Sequence, residues 1–578
     1  MGITIFALGI HARNNLTTIY MRKSILFAFA CLIMAACSNP SKMASLAESV
    51  VTDVTCNSAS ANGSDVLEAI GGKITATYTL KFPADFFHSE AILNVTPVLV
   101  YEGNEVVGPV LTLQGDKIMD NYTVISKKNG GEVTKEVTFD YKPGMEKATL
   151  ELRAVVYNSD RSKQYKFPVS YKLADGTNCT YMLVKTEGKP AFESDAYQKV
   201  ISEKKEAQVL YVVNQSNVRN NQLKTEQIKE FQAYLKEAQD NERKTIVSND
   251  IIAYASPDGE YGFNTKLSEK RAKSAETAFV KVITKKAKIN SIPTNVTQIS
   301  EDWEGFQELV QASDIQDKEL ILRVLSMYSD PAVREREIKN MSAVYKTLSD
   351  EVLPALRRAR FVANVEYKNW TDEELTQIIN ENMSQLDEEA LLYGATLFDK
   401  DAAKAEIYKA AASKFNSSRA YNNLAALSLK AKKTAEAKGY LAKVSDKNAI
   451  YYNNMAVAAM QEENFDAAAE YLAKAGNLAQ AKENMGALLI LKGDYAAAAT
   501  ALAGTNSYNE ALVNVVTGKL DKASSILANA KCPCKSYLKA IIAARQGNNS
   551  QAKELLEVAK KDEKLAKRAE KDIEFAKL

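Results

Sequence analysis

Few side chains in this sequence are suited to covalent chemistry. Its 578 residues include six cysteines and two histidines, His11 and His88. Histidine is the usual proton shuttle near neutral pH and the commonest metal ligand, so its scarcity argues against a histidine-based triad or a His-rich zinc site. No Walker loop, no G-x-G-x-x-G after a strand, no H-E-x-x-H and no G-x-S-x-G occurs. Asp and Glu number 72, so carboxylate pairs of the glycosidase kind arise by chance. The expectation is a chain that is not an enzyme and takes no cofactor and no metal. The thiols leave alternatives open. Cys56 and Cys179 fall near the two ends of a β-rich stretch, and in an oxidising compartment they either close it with a disulfide or stand as separate buried thiols. Cys532-Pro533-Cys534 is too tight for a C-x-x-C redox motif; it is either a strained, reducible pair or loop filler.

Cys37 has a different setting. Met21-Arg22-Lys23 is a short basic run, Ile25 to Met34 is apolar for ten residues, and Ala35-Ala36 are small. That is the layout of a secretory signal, and Met21 begins one of normal length by itself. Ile33-Met34-Ala35-Ala36-Cys37 resembles the lipobox of bacterial lipoproteins. The resemblance implies diacylglyceryl transfer to the Cys37 sulfur, cleavage before it, and acylation of the new amine, with palmitate-type chains. Two or three acyl chains anchor a protein stably where one does not. No later stretch is apolar for the roughly 20 residues a spanning helix needs. No Asp and no acidic run follows Cys37, so the expected location is the outer membrane, lipid-anchored and facing the periplasm.

The last 200 residues repeat. In segments beginning at Asn423, Asn454, Asn484, Asn509 and Leu538, a small residue stands two positions in: Ala425, Ala456, Gly486, Ala511, Ala540. An alanine stands fourteen in, from Ala437 to Ala552, and a leucine eighteen in, from Leu441 to Leu556. Small residues let the two helices of a hairpin approach, and the leucine fills the groove towards the next hairpin. These columns resemble tetratricopeptide (TPR) repeats, with shorter spacings. The resemblance implies an α-solenoid whose concave face takes peptides or partner proteins. Asn422, Asn423, Asn453, Asn454 and Asn484 recur on the first helices. Their carboxamides serve either a peptide backbone or the bonding of adjacent repeats, and Asn423, Asn454 and Asn484 are the candidate partner-binding residues.

Residues 208–368 alternate strand and helix patterns, including an insertion of helical character over 302–353. Tyr254-Ala255-Ser256-Pro257-Asp258-Gly259, then Asn264, then Leu267-Ser268-Glu269-Lys270-Arg271-Ala272, resemble the C-terminal domain of outer membrane protein A. In that family an Asp and an Arg grip the diaminopimelate of peptidoglycan: a carboxylate takes the ammonium and a guanidinium the carboxylate. The resemblance makes Asp258, Asn264 and Arg271 candidate ligand-binding residues. The family Asp falls on Ser256, so wall contact is expected to be weak or altered.

These motifs need elements to carry them. Residues 49–185 alternate in short β runs with Gly-rich turns, the pattern of an antiparallel β-sandwich. The expected order is signal peptide 1–36, tether 37–48, β-sandwich-like domain 49–185, linker 186–207, OmpA-like α+β domain 208–368, and TPR-like repeats 372–578. Lys plus Arg total 74 against 72 acidic residues, a balance that gives no general attraction to nucleic acid. The function expected is a non-enzymatic envelope scaffold that binds partner proteins through its repeats. The alternatives are a peptidoglycan-binding anchor linking outer membrane to wall, and a surface adhesin or fimbria-associated protein.

Overall fold

The structure, a computed structural model, describes residues 39–45, 51–56, 66–315, 318–340, 346–529 and 532–578. The signal segment and Cys37 lie outside the described residues. The chain divides into two compact units: residues up to Glu193 together with Ser417–Leu578, and Ser194–Asn416.

In the first unit the β-rich stretch forms two sheets. In one, strand Lys73–Phe82 pairs antiparallel with Gly131–Asp140 along its whole length, and with Val51–Cys56 and Leu67–Ile70 on its other edge. Alternation puts Ile74, Ala76, Tyr78, Leu80 and Phe82 inside. On the outer face, Thr75 bonds Thr138 and Thr79 bonds Thr134 across the strands. In the other sheet, Ala91–Tyr101 pairs with Thr149–Asn158 over ten residues. Both sheets are mainly antiparallel, with short parallel pairs at Thr177–Asn178 and Thr123–Ile125.

Five helical hairpins follow in the same unit, their first helices at Ser418–Lys430, Ala449–Gln461, Ala479–Lys492, Tyr508–Val516 and Pro533–Arg545. All three repeat columns are buried where they were expected to pack. Ala425, Ala437, Ala456, Ala468, Ala498, Ala511, Ala523, Ala540 and Ala552 have no measurable exposure. At Gly486 a Cβ would come within 2.4 Å of Leu502, so this crossing has no room for alanine. The sandwich and the last hairpins share one core, in which Ile74, Phe87, Leu93 and Leu150 join Leu512, Tyr537 and Ile541. The final turn, Ile573–Phe575, is pinned there by Glu574. Its carboxylate pairs with Arg545 and accepts from Asn178 Nδ2 at 3.1 Å and Thr180 Oγ1 at 2.7 Å.

The second unit carries a four-stranded sheet. Val200–Leu210 and Lys244–Tyr254 flank Arg358–Lys368, both antiparallel to it, and Thr294–Ile299 joins Lys244–Tyr254 in parallel. Helices Glu226–Asp240 and Tyr261–Ala278 cover one face through Ile228, Phe231, Leu235 and Ala275. The inserted stretch is helical, with Trp303–Ala312, Lys318–Met327 and Pro331–Asn340, and has its own small core around Phe306 and Leu325. Three helices between Asp372 and Phe415 complete the unit. The span 186–207, expected as a linker, is two different things. Residues up to Glu193 belong to the first unit, and a strand of the second unit begins at Val200. Its charged residues hid that strand because only one of its edges and part of one face are buried. Among the described residues no helix is long and apolar enough to cross a membrane.

Candidate functional site

The first helices of the first four hairpins each turn one asparagine towards a common partner. The carboxamides meet an extended strap of the same chain, Lys185 to Glu193. Asn509 Oδ1 accepts from the Lys185 N–H at 2.9 Å while its Nδ2 donates to the Lys185 carbonyl at 2.9 Å. Asn484 does the same for Lys189 (2.7 and 3.1 Å), Asn454 for Ala191 (2.8 and 2.8 Å) and Asn423 for Glu193 (2.7 and 3.1 Å). An amide side chain offers one acceptor and two donors, so each can bind both polar groups of one residue, as a neighbouring β-strand would. The spare donor protons tie the repeats together: Asn454 Nδ2 reaches Asn422 Oδ1 and Asn484 Nδ2 reaches Asn453 Oδ1, each at 3.0 Å. Gripping of the chain's own strap and repeat-to-repeat bonding are therefore two halves of one network.

The strap sequence suits its position. The gripped backbone is that of alternate residues, Lys189, Ala191 and Glu193, so Pro190, which has no N–H, falls between them. Ala191 is buried, and Gly188, at φ +75°, lies where a Cβ would stand 2.9 Å from Val457. The register jumps by four residues between Asn484 and Asn509. There the strap bows away, Gln461 Nε2 takes the Glu187 carbonyl at 3.1 Å, and a cleft of about 260 Å³ opens between Lys185, Lys189, Tyr508 and Asn484. Charges fasten the edges, with Lys189 to Glu483 at 2.9 Å and Asn448 Nδ2 to the Glu193 carboxylate at 2.6 Å.

Asn509 and the strap belong to the same network, though neither stands among the candidate residues drawn from the sequence. Asn509 stands in the same column as Asn423, Asn454 and Asn484, so its signal was available. The strap had none, because its specificity lies in main-chain groups that every residue carries.

No protein-family model matches the chain, and no curated protein matches it. Among solved structures it is similar to a tetratricopeptide repeat protein from Parabacteroides merdae, at 13% identity and a TM-score of 0.27, over 41% of this chain and 98% of that one. The helical-hairpin reading of the last 160 or so residues rests on the packing columns themselves.

In the second unit the candidate ligand residues are occupied. Arg271 is 1% exposed, and its guanidinium donates to the carbonyls of Tyr254 (2.8 Å), Gln215 (3.0 Å) and Val212 (3.4 Å). Burial lowers its pKa to about 10. Asn264 Nδ2 clasps the loop through the carbonyls of Ser256 and Gly259 at 3.1 and 2.9 Å. Asp258 takes the Ser256 hydroxyl and the Arg357 guanidinium, the latter at 3.3 Å. The resemblance implied that Asp258 and Arg271 face one ligand. Here Asp258 is neutralised by Arg357, and Arg271 serves the backbone.

Cys179 is a free, buried thiol, pushed up to about 12 by burial, with its Sγ against the Thr177 carbonyl. The side chain of Cys56, its partner in the disulfide alternative, lies outside the described residues. Cys532 and Cys534 are also free thiols.

Proposed function

We propose that this chain is a non-enzymatic envelope scaffold, held by lipid on Cys37 at the periplasmic face of the outer membrane, whose TPR-like solenoid is a polypeptide-gripping device. The observation that carries this reading is the four-rung asparagine ladder. A surface that satisfies both main-chain groups of alternate residues is built to hold extended polypeptide. Its present occupant is the chain's own strap, so the concave face braces the scaffold. Partner proteins then meet the outer helices of the hairpins, where charged residues such as Lys553 and Glu554 are exposed.

Photo-crosslinking in cells tests the scaffold. A photoreactive residue at Lys553 should capture one defined partner chain, whereas the same residue at Ala191 should crosslink only within the chain. Capture of foreign peptides at Ala191, with none at the outer helices, would sink the assignment of faces. Labelling with an alkynyl fatty acid, lost in Cys37→Ser, tests the anchor separately.

A further inference from the structure

Two thiols at the edge of the ladder have no part in it. Cys532 caps the N-terminus of helix Pro533–Arg545 and Cys534 lies in its first turn. Their Sγ atoms are 3.1 Å apart, with Cys532 exposed and Cys534 half-buried. The Lys185 ammonium stands 3.2 Å from Cys534 Sγ. It is held there twice over: Asn509 binds the Lys185 backbone, and the ammonium lies 4.7 Å from the centre of the Tyr508 ring. The positive end of a thirteen-residue helix and the charge of Lys535 act on the same spot. Partial burial works against ionisation of Cys532, yet the hydrogen bond from Cys534 and the lysine charges bring its thiol below the ordinary range. Burial and that same bond push Cys534 up. An exposed nucleophilic thiol beside a protonated partner is the arrangement that thiol–disulfide exchange requires. Cys179 is the contrast within the same unit, buried and without an ammonium in hydrogen-bond contact with its sulfur.

We infer that Cys532 and Cys534 form a redox-active dithiol that exchanges with disulfides, and that Lys185 positions it. The Cys532 thiolate attacks one sulfur of a protein or small-molecule disulfide, forming a mixed disulfide and releasing the first thiolate. Cys534 then loses its proton to solvent and attacks Cys532 Sγ. The mixed bond breaks, the second thiolate leaves, and both released sulfurs take up protons. Two thiols of this chain are oxidised while one disulfide of the substrate is reduced. With a single residue between the sulfurs the new bond closes a tight ring, so the exchange also runs in reverse.

The inference is independent of the scaffold reading, and glutathione tests it. The full chain is equilibrated in buffers from fully reduced to fully oxidised glutathione, quenched with acid, alkylated and digested. The peptide containing Cys532 and Cys534 should lose two hydrogens while Cys179 remains alkylatable after denaturation. In Cys534→Ser a glutathione adduct should accumulate on Cys532, roughly tenfold faster than on Cys534 in Cys532→Ser. Lys185→Met should raise the pH midpoint of Cys532 alkylation. Two free thiols across the whole range, or equal adduct rates in the two serine variants, would overturn the assignment.

Discussion

Asn454 and Ala191 lie 263 residues apart in sequence, yet the carboxamide of one closes two hydrogen bonds, each 2.8 Å, on the backbone of the other. Both residues are buried, so nothing in solvent substitutes if the side chain is removed. Asn454→Ala strands the Ala191 N–H, leaves its carbonyl with only the longer bond from Asn422 Nδ2 at 3.4 Å, and deprives Asn422 Oδ1 of a donor. At about 1–3 kcal/mol per unsatisfied buried group, the expected loss is about 2–5 kcal/mol, read from urea unfolding of the full chain. Asn509→Ala, at the more open end of the ladder, should cost less.

Strap release has its own readout. Asn423→Ala, Asn454→Ala and Asn484→Ala combined should open the strap to limited proteolysis, by trypsin at Lys185 and by a glutamate-specific protease at Glu187; Lys189 precedes Pro190 and resists trypsin. The single change Gly188→Ala should act in the same direction, because φ is +75° and Val457 blocks the new methyl. If cleavage at Lys185 and Glu187 is as slow in the triple variant as in the parent, the ladder is not what holds the strap.

The contrast between ladder and strap shows what can be read from this sequence. Alanine and leucine columns are legible because helix packing repeats the same steric demand in every hairpin. The sandwich strands are legible because one face is buried and the other wet. The strap is not, because it is specified by main-chain groups and by asparagines more than two hundred residues away. The strand at Val200–Leu210 was missed for a related reason: its pattern, with Lys204, Lys205 and Glu206, reads as a solvated run until its partner Arg358–Lys368 is known. At Arg271 the motif was legible, but the use of the guanidinium was not, since carbonyls from the end of strand Lys244–Tyr254 and from the loop after Leu210 complete it.

Arg271 supports a prediction that bears on wall binding. Arg271→Lys keeps the charge but loses the fork that serves three carbonyls. The second unit should be destabilised by about 2–4 kcal/mol, as expected for stranding buried acceptors. A loss of peptidoglycan retention in such a variant would therefore report unfolding. Asp258→Asn, which disturbs a half-buried ion pair with Arg357 and the bond from the Ser256 hydroxyl, is the cleaner probe, and hydrogen exchange of Tyr261–Ala278 distinguishes the two effects.

Glu574 should behave as a keystone of the first unit. Glu574→Ala leaves the Arg545 guanidinium, 3% exposed, without its carboxylate, and removes the acceptor of Asn178 and Thr180. Breaking a buried pair in this way costs about 3–5 kcal/mol. Faster amide exchange over Thr177–Leu183, in a sandwich segment remote in sequence, is the measurement that checks it.

Acid should weaken the second unit through Glu203. The hydroxyl of Tyr234, with the Lys244 ammonium, holds the Glu203 carboxyl below its ordinary value of 4.5. A carboxyl depressed in the folded state contributes stability above its unfolded pKa and loses it as pH falls through the folded value. The stability difference between parent and Glu203→Gln should therefore shrink between roughly pH 5 and pH 3. A difference that stays constant over that window would assign the effect to packing.

The strap also dictates an order of events. Lys185 is synthesised 324 residues ahead of Asn509, and Thr180 394 residues ahead of Glu574. The β-rich region must therefore wait, with its edge groups unmet, until the last hairpins emerge. Contacts so distant along the chain slow folding, because a long loop must close before any of them forms. A nascent chain of this design needs protection during that interval, and a premature stop anywhere in the hairpins would leave its earliest residues unfinished.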